Sequence, residues 1–138
     1  MFFRAETWRD HCSDLDHPAL LSRAMDEAAL ERVLTLVALI PPGEVAAYGE
    51  IGAIAGVGAR RVGAILSRYG ADLPWWRVTN ASGDPPRHLR ERAFEHWARE
   101  GIAVKPNGRG CAIARWGTDQ HVLARRFAAH MRLESPQE

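Results

Sequence analysis

Long hydrophobic runs are missing from this chain of 138 residues. The longest, Val33–Ile40, is interrupted by Thr35 and falls far short of the roughly 18 residues that span a bilayer. The opening Met1-Phe2-Phe3-Arg4 lacks the extended apolar core and small-residue cleavage site of a secretory leader. Cysteine is scarce: Cys12 and Cys111 stand far apart, with no metal-ligand spacing. That usage fits reduced thiols in a cytoplasmic protein and leaves room for one disulfide. Internal repeats, low-complexity tracts and a linker long enough to divide the chain are also missing. Membrane, disulfide-scaffold and repeat classes recede, leaving one globular domain of ordinary size. Its expected location is the cytoplasm, associated with the nucleoid in a bacterium.

What is present is unevenly charged. The formal net charge is only +1. Residues 1–35 set Arg4, Arg9, Arg23 and Arg32 against seven acids, a balance of −3. Residues 60–99 set Arg60, Arg61, Arg68, Arg77, Arg87, Arg90, Arg92 and Arg99 against Asp72, Asp84, Glu91 and Glu95, a balance of +4. Guanidinium offers a planar fork of donors suited to phosphate. A solvated helix face explains the same balance, so charge alone does not choose.

The periodicity predicts a mainly α domain. Residues 1–25 read as a lead-in, and Asp26 as the cap of a helix running to about Leu39, with Leu30, Val33, Leu34, Val37 and Ala38 on one face. Pro41-Pro42-Gly43 ends it. Short helices follow over about Gly49–Ala55 and Ala59–Arg68, and Leu73–Val78 is extended or looped. After a turn at Ser82–Pro86 comes a helix over about Arg87–Arg99 with Leu89, Ala93 and Trp97 in a stripe. Ile102–Val104 and Cys111–Trp116 flank Pro106-Asn107-Gly108 as a β-hairpin would. A helix over about Gln120–Arg132 and a polar tail close the chain, so the domain proper spans 26–118 and the C-terminal helix and tail 119–138.

The pair of short helices carries the first sharp signal. Ile51 through Leu66 has helix-turn-helix spacing, with Ala55 small at the crossing, Gly56 at the turn, and Val57, Val62 and Leu66 facing inward. Arg60 and Arg61 project from the first turn of the second helix, where a groove-inserted helix meets DNA. A purely structural helical hairpin is the plainer reading. Cations at a helix N-terminus oppose its dipole, however, and need another reason to be there. Together these features give a winged-helix-like helix-turn-helix domain with a small β-hairpin.

The second signal is an ordered set of fragments: Ile40-Pro41-Pro42-Gly43-Glu44-Val45, Tyr48-Gly49-Glu50-Ile51, Ala59-Arg60-Arg61-Val62-Gly63, Leu73-Pro74-Trp75-Trp76-Arg77-Val78 and Arg99-Glu100-Gly101. Over about residues 28–104 this set resembles the C-terminal DNA-binding domain of the O6-alkylguanine-DNA alkyltransferases. That family carries Pro-Cys-His-Arg-Val, whose cysteine takes the alkyl group and whose histidine helps activate it. Trp75 stands at the cysteine and Trp76 at the histidine. An indole has neither a nucleophilic lone pair nor a proton to relay near neutral pH, so this motif cannot transfer an alkyl group. The chain thus resembles the alkyltransferase-like branch, which has Trp or Ala at the cysteine position.

The resemblance implies a mechanism without chemistry or cofactor. Tyr48 matches the tyrosine that presses on the phosphate beside the lesion, and Arg60 the arginine that enters the base stack. Arg61 is a further DNA contact. Trp75 and Val78 line the pocket for the flipped base, and Arg87 is the candidate for an arginine near the alkylated oxygen. Pro74, Trp76, Arg77 and Glu100 support the motif. The implied partners are duplex DNA containing alkylated guanine and a damage-recognition protein of nucleotide excision repair, with the protein acting as a monomer away from membranes. In an extended segment only one of the adjacent Trp75 and Trp76 can face the pocket. Departures from the family include Ala47 at a position where threonine or serine often caps the first helix, and Tyr69 near a supporting asparagine. A helix-turn-helix transcriptional regulator, and a suicide alkyltransferase using another cysteine, are the rival readings; the Pro-Trp-Trp-Arg motif speaks against both. The histidines His11, His17, His88, His96, His121 and His130 are scattered, and only His17, near Asp14 and Asp16, hints at a metal.

Overall fold

A computed structural model describes residues 18–134, so Cys12 and the Asp14, Asp16, His17 group lie outside the described residues. Helix α1 (Pro18–Ala38) begins earlier than the Asp26 cap signal predicts. Proline at the first helical position is pre-set for the helical φ and has no amide hydrogen to leave unpaired, and it overrides the later signal. Asp26 sits inside the helix and pairs with Arg61 instead. Ala29, Val33, Leu36 and Val37 of α1, with Ile40 just beyond it, recur at helical spacing and are buried, forming one wall of the core.

Strand β1 (Ala46–Ala47) leads directly into α2 (Tyr48–Ala55), which turns into α3 (Ala59–Tyr69). The expected serine or threonine cap is replaced by half of a capping box: the Ala47 N–H donates to the Glu50 carboxylate at 2.9 Å. Gly56 ends α2 in the left-handed region at φ 87°, its N–H donating to the Gly52 carbonyl at 2.7 Å. A Cβ on Gly52 would lie 2.4 Å from the Val57 carbonyl oxygen, so the tight turn demands glycine there as well. Arg32 of α1 closes the turn by donating from Nε to the Ala55 carbonyl at 2.8 Å. Ile51 and Ala55 of α2 meet Val62 and Ile65 of α3 over the α1 wall, with Val57 and Leu66 packed at the edge. The helix-turn-helix is thereby braced by a third helix.

The chain then makes a short 3-10 turn at Trp75–Arg77 and enters β2 (Val78–Thr79), which runs parallel to β1 with Ala46 opposite Val78 and Ala47 opposite Thr79. A 3-10 turn at Arg87–Leu89 feeds α4 (Arg90–Glu100), which buries Ala93 and Trp97. Trp97, Val45, Ile102 and Cys111 form a second buried cluster, flanked by Trp76, Phe94, Ile113 and Trp116. A short helix, α5 (Ile113–Trp116), precedes α6 (Gln120–Glu134). Asp119 accepts hydrogen bonds from the His121 and Val122 amides in the first turn of α6, which lays Leu123 and Phe127 into the first core.

The expected β-hairpin does not form, and the small sheet is the parallel pair β1–β2. The Asn-Gly turn itself exists: the Gly108 N–H donates to the Lys105 carbonyl at 2.9 Å, with Gly108 at φ 74°. Its flanks lack a buried strand face, since Val104 is 41% exposed. On the other side Ile113 and Trp116 fall three apart, so a helical turn rather than a strand puts both against the second cluster. The turn docks instead on the loop of residues 80–84, where the Cys111 N–H donates to the Gly83 carbonyl at 2.9 Å. A Cβ at Gly83 would lie 2.1 Å from the Cys111 carbonyl oxygen, and one at Gly110 2.2 Å from the Gly83 carbonyl oxygen, so two glycines allow this approach.

A candidate base-binding cavity beside the helix-turn-helix

Between the outer face of α3 and the segment 84–92 lies an open cavity of about 870 Å³. Tyr48, Arg60 and Gly63 form one side, and Trp75, Asn80 and Arg87 belong to the remainder of the wall. Tyr48 begins α2 and is half-buried, with its ring lying over Gly63. Burial pushes its phenol pKa up, so the hydroxyl stays protonated and able to donate at neutral pH. Arg60 is exposed in the first turn of α3. Arg61, its neighbour, points elsewhere: its guanidinium pairs with Asp26 of α1 outside the cavity wall.

The two tryptophans part company. Trp75 lines the cavity, its ring edge-on to Trp76 with centroids 5.7 Å apart and an angle of 84°, and the Arg92 guanidinium lies 5.9 Å from its centroid. Trp76 turns into the protein, stacking on His96 with centroids 3.6 Å apart and planes 5° from parallel. The Trp76 Nε1–H donates to Glu100 Oε2 at 2.8 Å, and the Trp76 carbonyl accepts from Trp97 Nε1 at 2.7 Å. The separation expected of an extended pair is achieved in a 3-10 turn, where adjacent side chains also diverge. Pro74 precedes that turn and its carbonyl accepts from the Arg77 amide at 3.0 Å.

Glu100 organises the ground beneath. Arg77 donates to it from Nε at 3.1 Å and from a terminal nitrogen at 2.6 Å, while its other terminal nitrogen donates to the Ile40 carbonyl at 2.8 Å. The Gly43 N–H adds a bond to Oε1 at 3.0 Å. Burial works to raise the Glu100 pKa, but the donors from Arg77, Gly43 and Trp76 outweigh it and hold the carboxyl below its ordinary value. His96, above Trp76, has its pKa lowered, by burial first and by Arg99 next, which favours a neutral ring in the stack.

One expected pocket residue is placed otherwise. Val78 is fully buried in the first core beside Ala46 and lines no part of the cavity; β-sheet pairing carries its side chain inward. The sequence reading passed over Asn80, Arg90 and Arg92, all on the wall. Asn80 carried a usable signal, since Asn80-Ala81-Ser82-Gly83-Asp84 suits a turn capped by the asparagine side chain. Its Oδ1 accepts from the Ser82 and Asp84 amides at 2.9 and 3.0 Å. Cys111 is fully buried, and desolvation pushes its thiol pKa up to about 11. Such a thiol is neither accessible nor ionised at neutral pH.

Residues 28–102 match the model of the DNA-binding domain of 6-O-methylguanine DNA methyltransferase. The chain belongs to this family. It is similar to the DNA base-flipping protein of Escherichia coli (strain K12), 46% identical over 86 residues, covering 56% of this chain and 65% of the relative. The chain therefore spans just under two thirds of the length of that relative. A DNA base-flipping protein of Vibrio parahaemolyticus is 36% identical over 86 residues, covering 58% of this chain and 86% of the relative. Among solved structures, S. pombe Atl1 in complex with damaged DNA containing O6-carboxymethylguanine matches with a TM-score of 0.59 and 25% identity, over 67% of this chain and 96% of Atl1. S. pombe ATL in complex with DNA matches at 0.56 and 27%, over 65% and 94%. The helix-turn-helix, the parallel strand pair and the cavity wall up to α4 all lie inside the family segment, whereas α5 and α6 lie beyond it.

Proposed function

We propose that this protein binds O6-alkylguanine in duplex DNA, turns the base out of the helix into the cavity beside α3, and holds it there without alkyl transfer. The observation that carries the reading is Trp75. It occupies the place of the family's nucleophile on the wall of a cavity large enough for a purine, and offers a stacking face where the family offers a thiol. Extrusion costs a few kcal/mol; stacking on an aromatic face, worth about 1–3 kcal/mol per base, and an arginine inserted in the vacated stack offset it. Arg60, beside Tyr48 at the cavity, is the residue placed to insert. Arg87, exposed on the same wall, is the donor for the alkylated oxygen.

The protein acts as a monomer in the cytoplasm, on nucleoid DNA in a bacterium, and presents the bound lesion to a damage-recognition protein of nucleotide excision repair. A regulator reading an operator through α3 would have no use for a cavity beside its recognition helix, which favours the lesion reading over that rival. The test uses matched duplexes with and without one O6-methylguanine carrying a labelled methyl group. Binding tighter to the lesion duplex, with all label remaining on DNA, is the expected result. Label transferred to protein overturns the non-enzymatic reading, and equal affinity for both duplexes overturns lesion recognition.

A further inference from the structure

A second, smaller cavity of about 340 Å³ adjoins the first, lined by Asp84, Arg87, Arg90 and Arg109. Three arginines line it against one carboxylate, that of Asp84, whose Oδ1 lies 2.9 Å from Lys105 Nζ but is buried without a hydrogen bond of good geometry. The Arg90 Nε is shielded from solvent and has no hydrogen-bond partner among the described residues. A buried donor without an acceptor is costly, and Arg90 is one of the residues that line this recess. Arg109 is exposed, but its backbone is held: its amide donates to Asn107 Oδ1 at 2.8 Å, and the turn is closed by the Lys105 amide on the Gly110 carbonyl at 2.8 Å. The docking of that turn on Gly83 brings the far-apart Arg109 and Arg87 together.

We propose that Arg90 and Arg109 form an anion site, adjoining the lesion donor Arg87, for a phosphodiester of the strand that carries the extruded nucleotide. The inference rests on the base-binding reading of the neighbouring cavity. A nucleotide turned out of a duplex carries its flanking phosphates with it, so a base cavity needs a cationic surface close to its mouth. Asp84, Arg87 and Arg90 line both cavities, which places the two recesses side by side. A tetrahedral anion with several acceptor oxygens suits convergent guanidinium forks better than a planar base does.

The experiment uses the full chain and two arms. Arginine Nε–Hε signals are followed by NMR during titration with inorganic phosphate, and the Arg90 and Arg109 signals are expected to shift. Binding of wild type, Arg109→Ala and Arg90→Gln is then measured across a salt series, on lesion duplexes with a normal or an uncharged methylphosphonate linkage flanking the lesion. On the normal duplex Arg109→Ala should bind on the order of tenfold more weakly, with a salt slope smaller by about one unit. The uncharged linkage on one side of the lesion should reproduce that loss in wild type and abolish the difference between wild type and variant. Unchanged affinity and slope for Arg109→Ala overturn the proposal, including the case where inorganic phosphate still shifts the signals and the recess serves free phosphate or an acidic protein surface. If wild type fails to prefer the lesion, the base-binding reading falls instead, a result separate from the response of the variants.

Discussion

Replacing Glu100 by glutamine changes one oxygen to an NH2 group and removes one charge, at a carboxylate that accepts from Gly43, Trp76 and Arg77. The Arg77 and Glu100 side chains are only 13% and 11% exposed, so water cannot readily take over the vacated bonds. Glutamine keeps one acceptor oxygen but turns its own donors toward groups that are all donors. Breaking a buried ion pair by removing one partner costs about 3–5 kcal/mol. The Arg77 guanidinium keeps the Ile40 carbonyl as an acceptor, which places the expected loss near the lower end, about 3 kcal/mol. In urea, where a small domain has an m-value of about 1–3 kcal/mol/M, the midpoint should fall by about 1–3 M at unchanged m.

The pH dependence gives an independent check. The folded-state pKa of Glu100 lies below its unfolded value. Its stabilisation is therefore complete above the unfolded carboxyl value of about 4.3 and is lost as pH falls through the folded value. Glu100→Gln should flatten that part of the acid limb. A loss below about 1 kcal/mol with an unchanged acid limb would put the pair in the class of solvent-screened surface contacts and refute the view that Glu100 anchors the tryptophan turn.

Three further outcomes bear on binding. Arg60→Ala should weaken binding to lesion duplex far more than to undamaged duplex while changing the salt slope little, because an intercalated guanidinium releases few counterions; equal losses on both duplexes would make it an ordinary phosphate contact. Asp26→Asn should release Arg61 from its ion pair and tighten binding to undamaged duplex at low salt by a few-fold, consistent with the small worth of exposed pairs; no change in a salt-series titration would leave Arg61 outside the interface. Trp75→Cys should transfer alkyl groups slowly at pH 7 and faster as pH rises through about 8.5, the unperturbed thiol value, since Trp76 offers no base. Rapid stoichiometric transfer at pH 7 would show that another group, such as His96, whose ring centroid lies 5.8 Å from that of Trp75, activates the thiol.

Much of the site was legible because its signals are local. Helix-turn-helix spacing from Ile51 to Leu66 depends on a small residue, a glycine turn and three inward apolar positions, all within one stretch of chain; Ala55, Gly56 and Val62 are found where the spacing put them, while Val57 and Leu66 pack only at the edge of the core. What escaped depended on long-range contacts. Asp26 is a good capping residue by type, yet its partner is Arg61 across a helix packing that sequence does not announce. Asn107-Gly108 made its turn, but whether the flanks pair is decided by what they pack on, and Gly83 and Gly110 offered a closer fit to the 80–84 loop. The family resemblance puts Val78 in the pocket, while parallel pairing with Ala46 buries it. Arg90 and Arg109 could not be connected at all from sequence, because the docking that joins them rests on two glycines with no chemistry of their own.

Under the proposed function, the Trp75-Trp76 pair turns a transfer site into a holding site. The indole of Trp76 still donates a hydrogen bond to Glu100, so the motif remains tied to α4 through the same carboxylate that secures Arg77 and the Gly43 turn. Because an indole nitrogen is a donor only, that tie cannot relay a proton, and it holds at any pH where Glu100 is ionised. Trp75 is held by its T-shaped contact with Trp76 and by the Arg92 guanidinium over its ring, which keeps its indole at the cavity wall. Under the proposed function no step consumes the protein, so the lifetime of the bound state rather than a reaction rate sets its usefulness. That lifetime should depend on the rigidity of the Trp76–Glu100–Arg77 support as much as on the contacts of Trp75 itself. A variant that loosens the support while leaving Trp75 intact should therefore shorten residence on lesion DNA with little change in association rate.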